Sequence, residues 1–425
     1  MESNNQPQAL HRVVITGMGA ISPAGYGVEA LWNKVMAGVC CISALPPELA
    51  EETGISVGGQ VPGYDPLKAG LTKKETRRFS RFVQFAVIAA DEAMKQAGYT
   101  EEALQAMDTA RFACIFGSGI GSLSAFDREV TKANEKGAKR VNPLFIPILI
   151  SNMAAGNLAI RFHLRGECSN IVTACATGTQ NIGEAYRLIR YGYADQALCG
   201  GTEESIERMA LAGFGNLGAL TKEKDPLKAS RPFDSDRSGF VAGEGAGAMV
   251  IESLESAQAR GAQIIAEITG YGATGDGYHM TAPEPHGEGA VRAMKMALAE
   301  GGFTVEDLGH VNAHGTSTHA NDEMESNAMV ALCGPQRARE IPMTSTKGAI
   351  GHLLGGAGAV EAIVTARSVT RGVVPPTVGH VKDDPKCPVR VSAEPVWDLP
   401  QKVALSNSFG FGGHNASLAI SPFKA

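Results

Sequence analysis

The sequence predicts an α/β protein built from two similar halves. Three observations carry that reading. Short apolar or β-branched runs recur along the chain (RFACIFG, NIVTAC, QALCGG, GAMVIES, HVNAHG, VALSNS), bounded by glycine or polar residues. Between them lie segments with helical periodicity, such as RFVQFAVIAADEAMKQAG and GAVRAMKMALAEGG. Alternation of the two predicts helices layered on sheets. The third observation is an internal echo. VVITGMGAISPAG at residues 13–25 returns as AEITGYGATGDG at residues 266–277, each a strand followed by T-G-x-G-A and a glycine turn. A repeat at this scale puts a boundary near residues 257–263 and divides the chain into halves at 11–259 and 260–425.

Composition sets the outer bounds. At 425 residues the chain is longer than a typical single domain. It is 44% hydrophobic and 19% charged, a globular balance, and its 51 glycines cluster in short motifs. A net charge of −6 argues against a general nucleic-acid binder. The eight cysteines form no CxxC pair, which fits free thiols in a reducing compartment rather than a disulfide framework or zinc site. The N-terminal MESNNQPQALHR is polar and has no apolar signal core. The most apolar segment, VNPLFIPILISNMAAGNLAI, is broken by prolines, Ser151 and asparagines and makes a poor membrane span. The expectation is a soluble, cytoplasmic protein without membrane insertion.

The first half offers two candidate functional segments. LTKKETRRFSRF carries Lys74, Arg77, Arg78 and Arg81, which share a face if the segment is one helix. Such a run is commonly a solvated surface, but here it is basic on an acidic chain. The second segment is NIVTACATGTQNIGEA, where a strand-like run hands over to a helix-like pattern at Cys175. Taken alone, Cys175 reads first as a buried structural thiol. The competing reading is a nucleophile, because a helix N-terminus favours thiolate and the small neighbours admit a substrate.

The second half opens on a literal G-x-G-x-x-G: Gly270, Gly272 and Gly275. A dinucleotide site is disfavoured because no helix opens directly on it and the first echo has Ser22 at the matching place. Next comes VNAHGTSTHANDEME, with His314 just after an apolar run. His314 and His319 with Asp322 and Glu325 could be drawn as a metal site, but the ligand types are mixed and no further histidine cluster completes it, so no metal is expected. TSTKGAIGHLLGGAGAVEAI contributes Lys347, His352 and Glu361, and ALSNSFGFGGHNAS sets Phe409 and Phe411 in a glycine loop. Any one histidine beside a strand is more often a hydrogen-bonded core residue than a catalyst.

Together these pieces are more specific than apart. TACATG, NAHGTST, KGAIGH and NSFGFGG, in that order and with RPFDSDRSGFVAGEGAG at 231–247, resemble the β-ketoacyl-acyl-carrier-protein synthases of the thiolase superfamily. The resemblance runs from about residue 12 to 420 and implies a thiolase-like five-layered αβαβα fold working as a homodimer. By its motifs Cys175 matches the nucleophile, and His314 and His352 the catalytic histidines. Lys347 and Glu361 match a supporting charged pair. Phe411 matches the gate whose backbone N–H helps form an oxyanion hole, with Phe409 beside it. Thr316 and Thr318 match residues that hold the phosphopantetheine arm. Ile120 and Phe145 resemble acyl-pocket positions across the dimer interface, and Lys74, Arg77 and Arg78 resemble positions that dock the acidic acyl carrier protein.

A Cys-His-His set resembles the elongating, synthase II-like type, rather than the initiating Cys-His-Asn type. The implied reaction is decarboxylating condensation of an acyl-carrier with a malonyl-carrier, with no cofactor beyond the carrier's own arm. Two neutral imidazoles suit it, since they stabilise an enolate oxygen without delivering a proton prematurely. Other readings are a ketosynthase of a polyketide or specialised lipid pathway, a non-catalytic chain-length subunit, which intact Cys175, His314 and His352 disfavour, and, remotely, a dinucleotide oxidoreductase. His414 and His319 depart from what is frequent in the family and leave the fine shape of the pocket open.

Overall fold

The structure is a computed structural model that describes residues 10–424, so most of the polar N-terminal segment lies outside the described residues. Eleven strands form one hydrogen-bonded sheet path that folds into two layers, with the short strand Gly25–Tyr26 pairing off it against Val13–Ser22. In the first half, strand Val13–Ser22 pairs antiparallel with Gly245–Ser253, which pairs antiparallel with Gln196–Glu203. Phe112–Gly117 and then Cys168–Ser169 follow in parallel. The second half repeats this order. Ala266–Gly275 pairs antiparallel with His414–Ser421, and that strand pairs antiparallel with Val403–Gly410. Leu308–Asn312 and Pro342–Thr344 continue in parallel. The two sheets meet where residues 13–15 pair with 266–268, at the start of both echoed strands.

Helices complete five layers. Arg81–Gln96 covers the outer face of the first sheet and Glu288–Glu300 that of the second. Thr177–Arg190 and Ala357–Arg371 lie between the sheets and touch both, which is why Ala357–Arg371 is apolar or small nearly all round, while Thr177–Arg190 keeps a polar stripe at Gln180, Glu184, Arg187 and Arg190.

The echoed T-G-x-G-A has a packing cause. A Cβ at Gly17 or Gly19 would lie 2.1 or 1.9 Å from the carbonyl oxygens of Ala93 and Ala89 on the first outer helix. At Gly270 and Gly272 it would lie 2.0 Å from those of Ala297 and Ala293 on the second. The glycines let a helix backbone rest on the strand, and that role accounts for the pattern without a cofactor.

Three sequence expectations change. Residues 170–173 form no regular strand, because their backbone bonds go to side chains instead of a neighbouring strand. The basic segment is two helices, not one: Lys73–Arg78 ends at Phe79, and Arg81 opens the next. Arg81 turns to the buried Glu244 at 2.6 Å and leaves the face that Lys74, Arg77 and Arg78 expose. The apolar segment of residues 141–160 is divided between helices Phe145–Leu149 and Met153–Phe162. No helix among the described residues is long and apolar enough to cross a membrane.

Candidate active site

Cys175 occupies a 3-10 turn, Ala174–Ala176, that runs directly into helix Thr177–Arg190. The approach is held by the helix's own side chains. Ile171 N–H donates to Asn181 Oδ1 at 2.9 Å, and Thr173 N–H to Thr177 Oγ1 at 3.0 Å. Ala174 is forced to φ 50°, a left-handed conformation that an alanine adopts only under constraint. The second half copies the device: turn Leu354–Gly356, with Leu354 at φ 45°, precedes helix Ala357–Arg371. Gly355 sits where the first half has Cys175, and the second half supplies His352 just before the turn instead.

His314 follows strand Leu308–Asn312. Its N–H and that of Gly315 both donate to the buried Glu325 at 2.9 Å. His352 is fixed through its backbone N–H on Val241 O at 2.7 Å and through Nδ1, which accepts Leu354 N–H at 3.2 Å. That bond puts the ring proton on Nε2, and Nε2 is buried with no protein partner. Nδ1 of His314 is likewise buried and unpartnered. The Cys175 sulfur and nitrogens of both imidazoles lie within 4.8 Å of one another. The rings stand 5.2 Å apart at 85°, with Phe409 against His314 and Phe240 against His352. All three reactive groups face one cavity of about 400 Å³, which Thr316, Thr318, Phe409 and Phe411 also line.

Electrostatics separate the roles these groups can take. Burial drives both histidines well below the usual imidazole range, and the Lys347 ammonium adds to the effect, so both are neutral at physiological pH. Lys347 is 1% exposed, and its ammonium donates to His314 O at 2.6 Å and to Glu361. Burial lifts Glu361 to about 7 against the pull of Lys347.

Cys175 corrects an expectation. Its residue keeps some exposure on the cavity, yet packing on the other sides pushes the thiol up to about 11. Lys347 and the N–H groups of Phe411 and Cys175 pull the other way without overcoming it. The resting group is therefore a thiol, and the helix end does not make it a thiolate. The same N–H groups bear on the sulfur, where an acyl oxygen would lie. Gly410 makes this possible: a Cβ there would stand 2.7 Å from Thr173 O and 3.2 Å from Cys175 N.

Other expected residues fall differently. The Thr316 and Thr318 hydroxyls bond each other at 2.9 Å at the cavity wall. Ile120 and Phe145 do not line the cavity within one chain: Ile120 is 38% exposed, and the Phe145 ring lies 6.3 Å from Phe126. Asp322 and Glu325 do not form the drawn metal set with His319. Asp322 accepts the N–H groups of Phe233 and Ser317 at 2.7 and 3.1 Å, so both carboxylates serve backbone, and His319 is exposed. Sequence reasoning gave Glu325 no part in placing His314, and it missed Glu203 altogether. Their only signal was an acidic residue inside an otherwise buried segment.

Comparison with known proteins follows the same lines. Models for the N-terminal and C-terminal domains of beta-ketoacyl synthases match residues 10–257 and 265–381. The 3-oxoacyl-[acyl-carrier-protein] synthase 2 of Staphylococcus aureus (strain COL) is 44% identical over 414 residues, 97% of this chain and 99% of its own. A beta-ketoacyl synthase crystal structure from Burkholderia phymatum STM815 superposes with a TM-score of 0.90 at 34% identity, covering 98% of this chain and 100% of that one. A type II polyketide ketosynthase, solved with its acyl-carrier protein and bound to a hexaketide, gives 0.88 at 30% identity, covering 97% and 100%.

Proposed function

The chain belongs to the beta-ketoacyl synthase family, and on that premise we propose that it is a 3-oxoacyl-[acyl-carrier-protein] synthase of fatty-acid elongation. The observation that carries the reading is the convergence of one thiol and two neutral imidazoles on a single cavity. The higher identity to a synthase 2, 44% against 30% for the polyketide ketosynthase, favours elongation over a specialised pathway.

In the first half-reaction the Cys175 sulfur attacks the acyl thioester carbonyl. The Phe411 and Cys175 N–H groups stabilise the tetrahedral oxyanion. The carrier thiol leaves with the proton that Cys175 gives up. In the second, malonyl-carrier breaks its bond to the carboxylate and releases carbon dioxide. The resulting enolate oxygen takes hydrogen bonds from His314 and His352, and neutral rings withhold a proton from the carbanion. The enolate carbon bonds to the acyl carbonyl and Cys175 departs as a thiolate that takes a proton from solvent, leaving 3-oxoacyl-carrier. Lys347 and Glu361 hold the local field and the His314 backbone. Thr316 and Thr318 receive the phosphopantetheine arm, Phe411 with Phe409 closes the cavity, and no separate cofactor or metal takes part.

Ile120, Phe126, Leu144 and Ile146 expose apolar surface that suits a second copy, in a homodimer where Ile120 and Phe145 reach the partner's acyl pocket. Lys74, Arg77 and Arg78 would meet the acidic carrier in the cytoplasm. The test is reconstitution with malonyl-carrier and saturated primers of graded length. Intact-protein mass spectrometry should show an acyl adduct on the wild type and 3-oxoacyl product after malonyl-carrier is added. An adduct that survives Cys175→Ala would assign the nucleophile elsewhere.

A further inference from the structure

A buried carboxylate outside the reacting set lies directly beneath the site. Glu203 ends strand Gln196–Glu203 and is 1% exposed. It has no basic partner among the described residues and takes three donors instead. Ser118 Oγ donates to one oxygen; Gly119 N–H and Gly355 N–H donate to the other, at 3.1 and 3.0 Å. These donors come from two distant segments. Ser118 and Gly119 belong to loop 118–122, and the Ser118 hydroxyl also accepts the N–H groups of Ile120 and Gly121 at 3.1 and 2.7 Å. Gly355 belongs to the turn whose Leu354 N–H fixes the His352 tautomer.

The contacts close on the nucleophile. A Cβ at Gly119 would lie 3.1 Å from Ala174 O and 3.2 Å from the Glu203 carboxylate; one at Gly355 would lie 2.5 Å from Gly119 N. The loop, the Ala174–Ala176 turn and the Leu354–Gly356 turn are thus stacked backbone to backbone around a single carboxylate. The neighbouring Glu204 secures the far end of the same loop through Ser122 and Ser124.

We propose that Glu203 is a positioning residue for the condensing reaction: its carboxylate clamps the loop bearing Ile120 and the turn bearing His352 against the nucleophile turn. Burial without a counter-ion lifts Glu203 to about 7, and its ionised form is tolerable there only because its oxygens accept these hydrogen bonds. Only a carboxylate can accept from a hydroxyl on one oxygen and two amides on the other. A glutamine would turn an NH₂ toward one of these donors. Glu203 also acts on Cys175 through space. Burial is the main cause of the raised thiol, and Glu203 is the anionic neighbour that adds to it, opposed by Lys347; Glu203 is itself lifted chiefly by burial, with Glu204 adding to the effect.

The assignment rests on the condensing reading, so the experiment uses the full-length protein and separates the two. Glu203→Gln is compared with wild type in three measurements: the pH midpoint of Cys175 alkylation by iodoacetamide, malonyl-carrier decarboxylation, and the thermal midpoint. Removing the negative charge should move the alkylation midpoint down by roughly half to one unit. Losing one or two charge-assisted hydrogen bonds near His352 should cut decarboxylation by about 10–100-fold. An unchanged alkylation midpoint, or a lowered thermal midpoint with decarboxylation intact, overturns the proposal. Should Glu203→Gln fail to fold, Ser118→Ala decides, because it keeps the charge and both glycine bonds while freeing the loop. It should raise KM for long acyl primers at least about threefold, the loss of one hydrogen bond, with the alkylation midpoint unchanged. Wild-type kinetics for every primer would overturn the clamp. If the wild type itself neither takes an acyl group nor decarboxylates malonyl-carrier, the condensing reading fails, and the alkylation midpoint, which needs no substrate, still tests Glu203.

Discussion

Replacing His352 by alanine tests the division of labour in the cavity. In the wild type, Nδ1 accepts Leu354 N–H, so Nε2 carries the proton, buried with no protein partner among the described residues. A donor that no protein group uses, and whose hydrogen bond strengthens as charge develops on an enolate oxygen, acts mainly in the transition state, which raises kcat rather than lowering KM. Losing such a donor should cost about 10²–10³ in the decarboxylation rate, or roughly 2.7–4 kcal/mol. Acyl transfer depends on Cys175 and on the N–H groups of Phe411 and Cys175, which the substitution leaves in place, so it should fall by less than about tenfold. The substitution also strands Leu354 N–H, which should lower stability by about 1–3 kcal/mol, so the thermal midpoint is measured alongside. Carbon dioxide release from malonyl-carrier and acylation by intact mass then read the two half-reactions separately. Because both histidines are neutral well below pH 6.5, wild-type decarboxylation should have no acid limb between pH 6.5 and 8. Decarboxylation that survives His352→Ala while acyl transfer collapses would refute the assignment, and so would a histidine-like limb near pH 6.5.

Three further outcomes are expected. Converting Lys74, Arg77 and Arg78 to glutamate should raise the KM for carrier-bound substrates and flatten its salt dependence, while a pantetheine thioester is used almost as before; equal losses with both would point to damaged folding. Gly410→Ala should drive a methyl group onto Thr173 O and Cys175 N and slow acylation of Cys175, read by mass spectrometry, with little effect on the thermal midpoint if the turn gives way. Stability should change little between pH 5.5 and 7. His310, His314 and His352 have lowered pKa values, so their contribution is present above the unfolded value near 6.5 and lost as pH falls. Glu203, Glu325 and Glu361 are raised to about 7, so theirs is present below the unfolded value near 4.5 and lost as pH rises through 7. The two sets oppose each other in that window, and thermal midpoints that climb steeply from pH 5.5 to 7 would show that the carboxylates do not bind protons as described.

The sequence by itself determined the class of fold, the duplication and the identity of the converging groups. Those features rest on local chemistry: period-two and helical patterning, glycines that permit one close approach, and short motifs whose residue types carry reactivity. Val13–Ser22 and Ala266–Gly275 were legible as a repeat because their glycines answer to the helix lying on each strand. Tertiary structure alone decided the protonation states. A helix N-terminus predicted a thiolate at Cys175, but desolvation by layers far apart in sequence pushes the thiol up, against Lys347 and the nearby N–H groups. It decided that Arg81 leaves the basic face, because Glu244 lies 163 positions away in sequence and no local pattern reports it. It placed Ile120 and Phe145 outside the cavity of their own chain. Above all it brought Glu203, Ser118 and Gly355 into contact. A pair of acidic residues at the end of an apolar strand reads as a surface position, and only the stacking of two turns and a loop around Glu203 makes it a clamp.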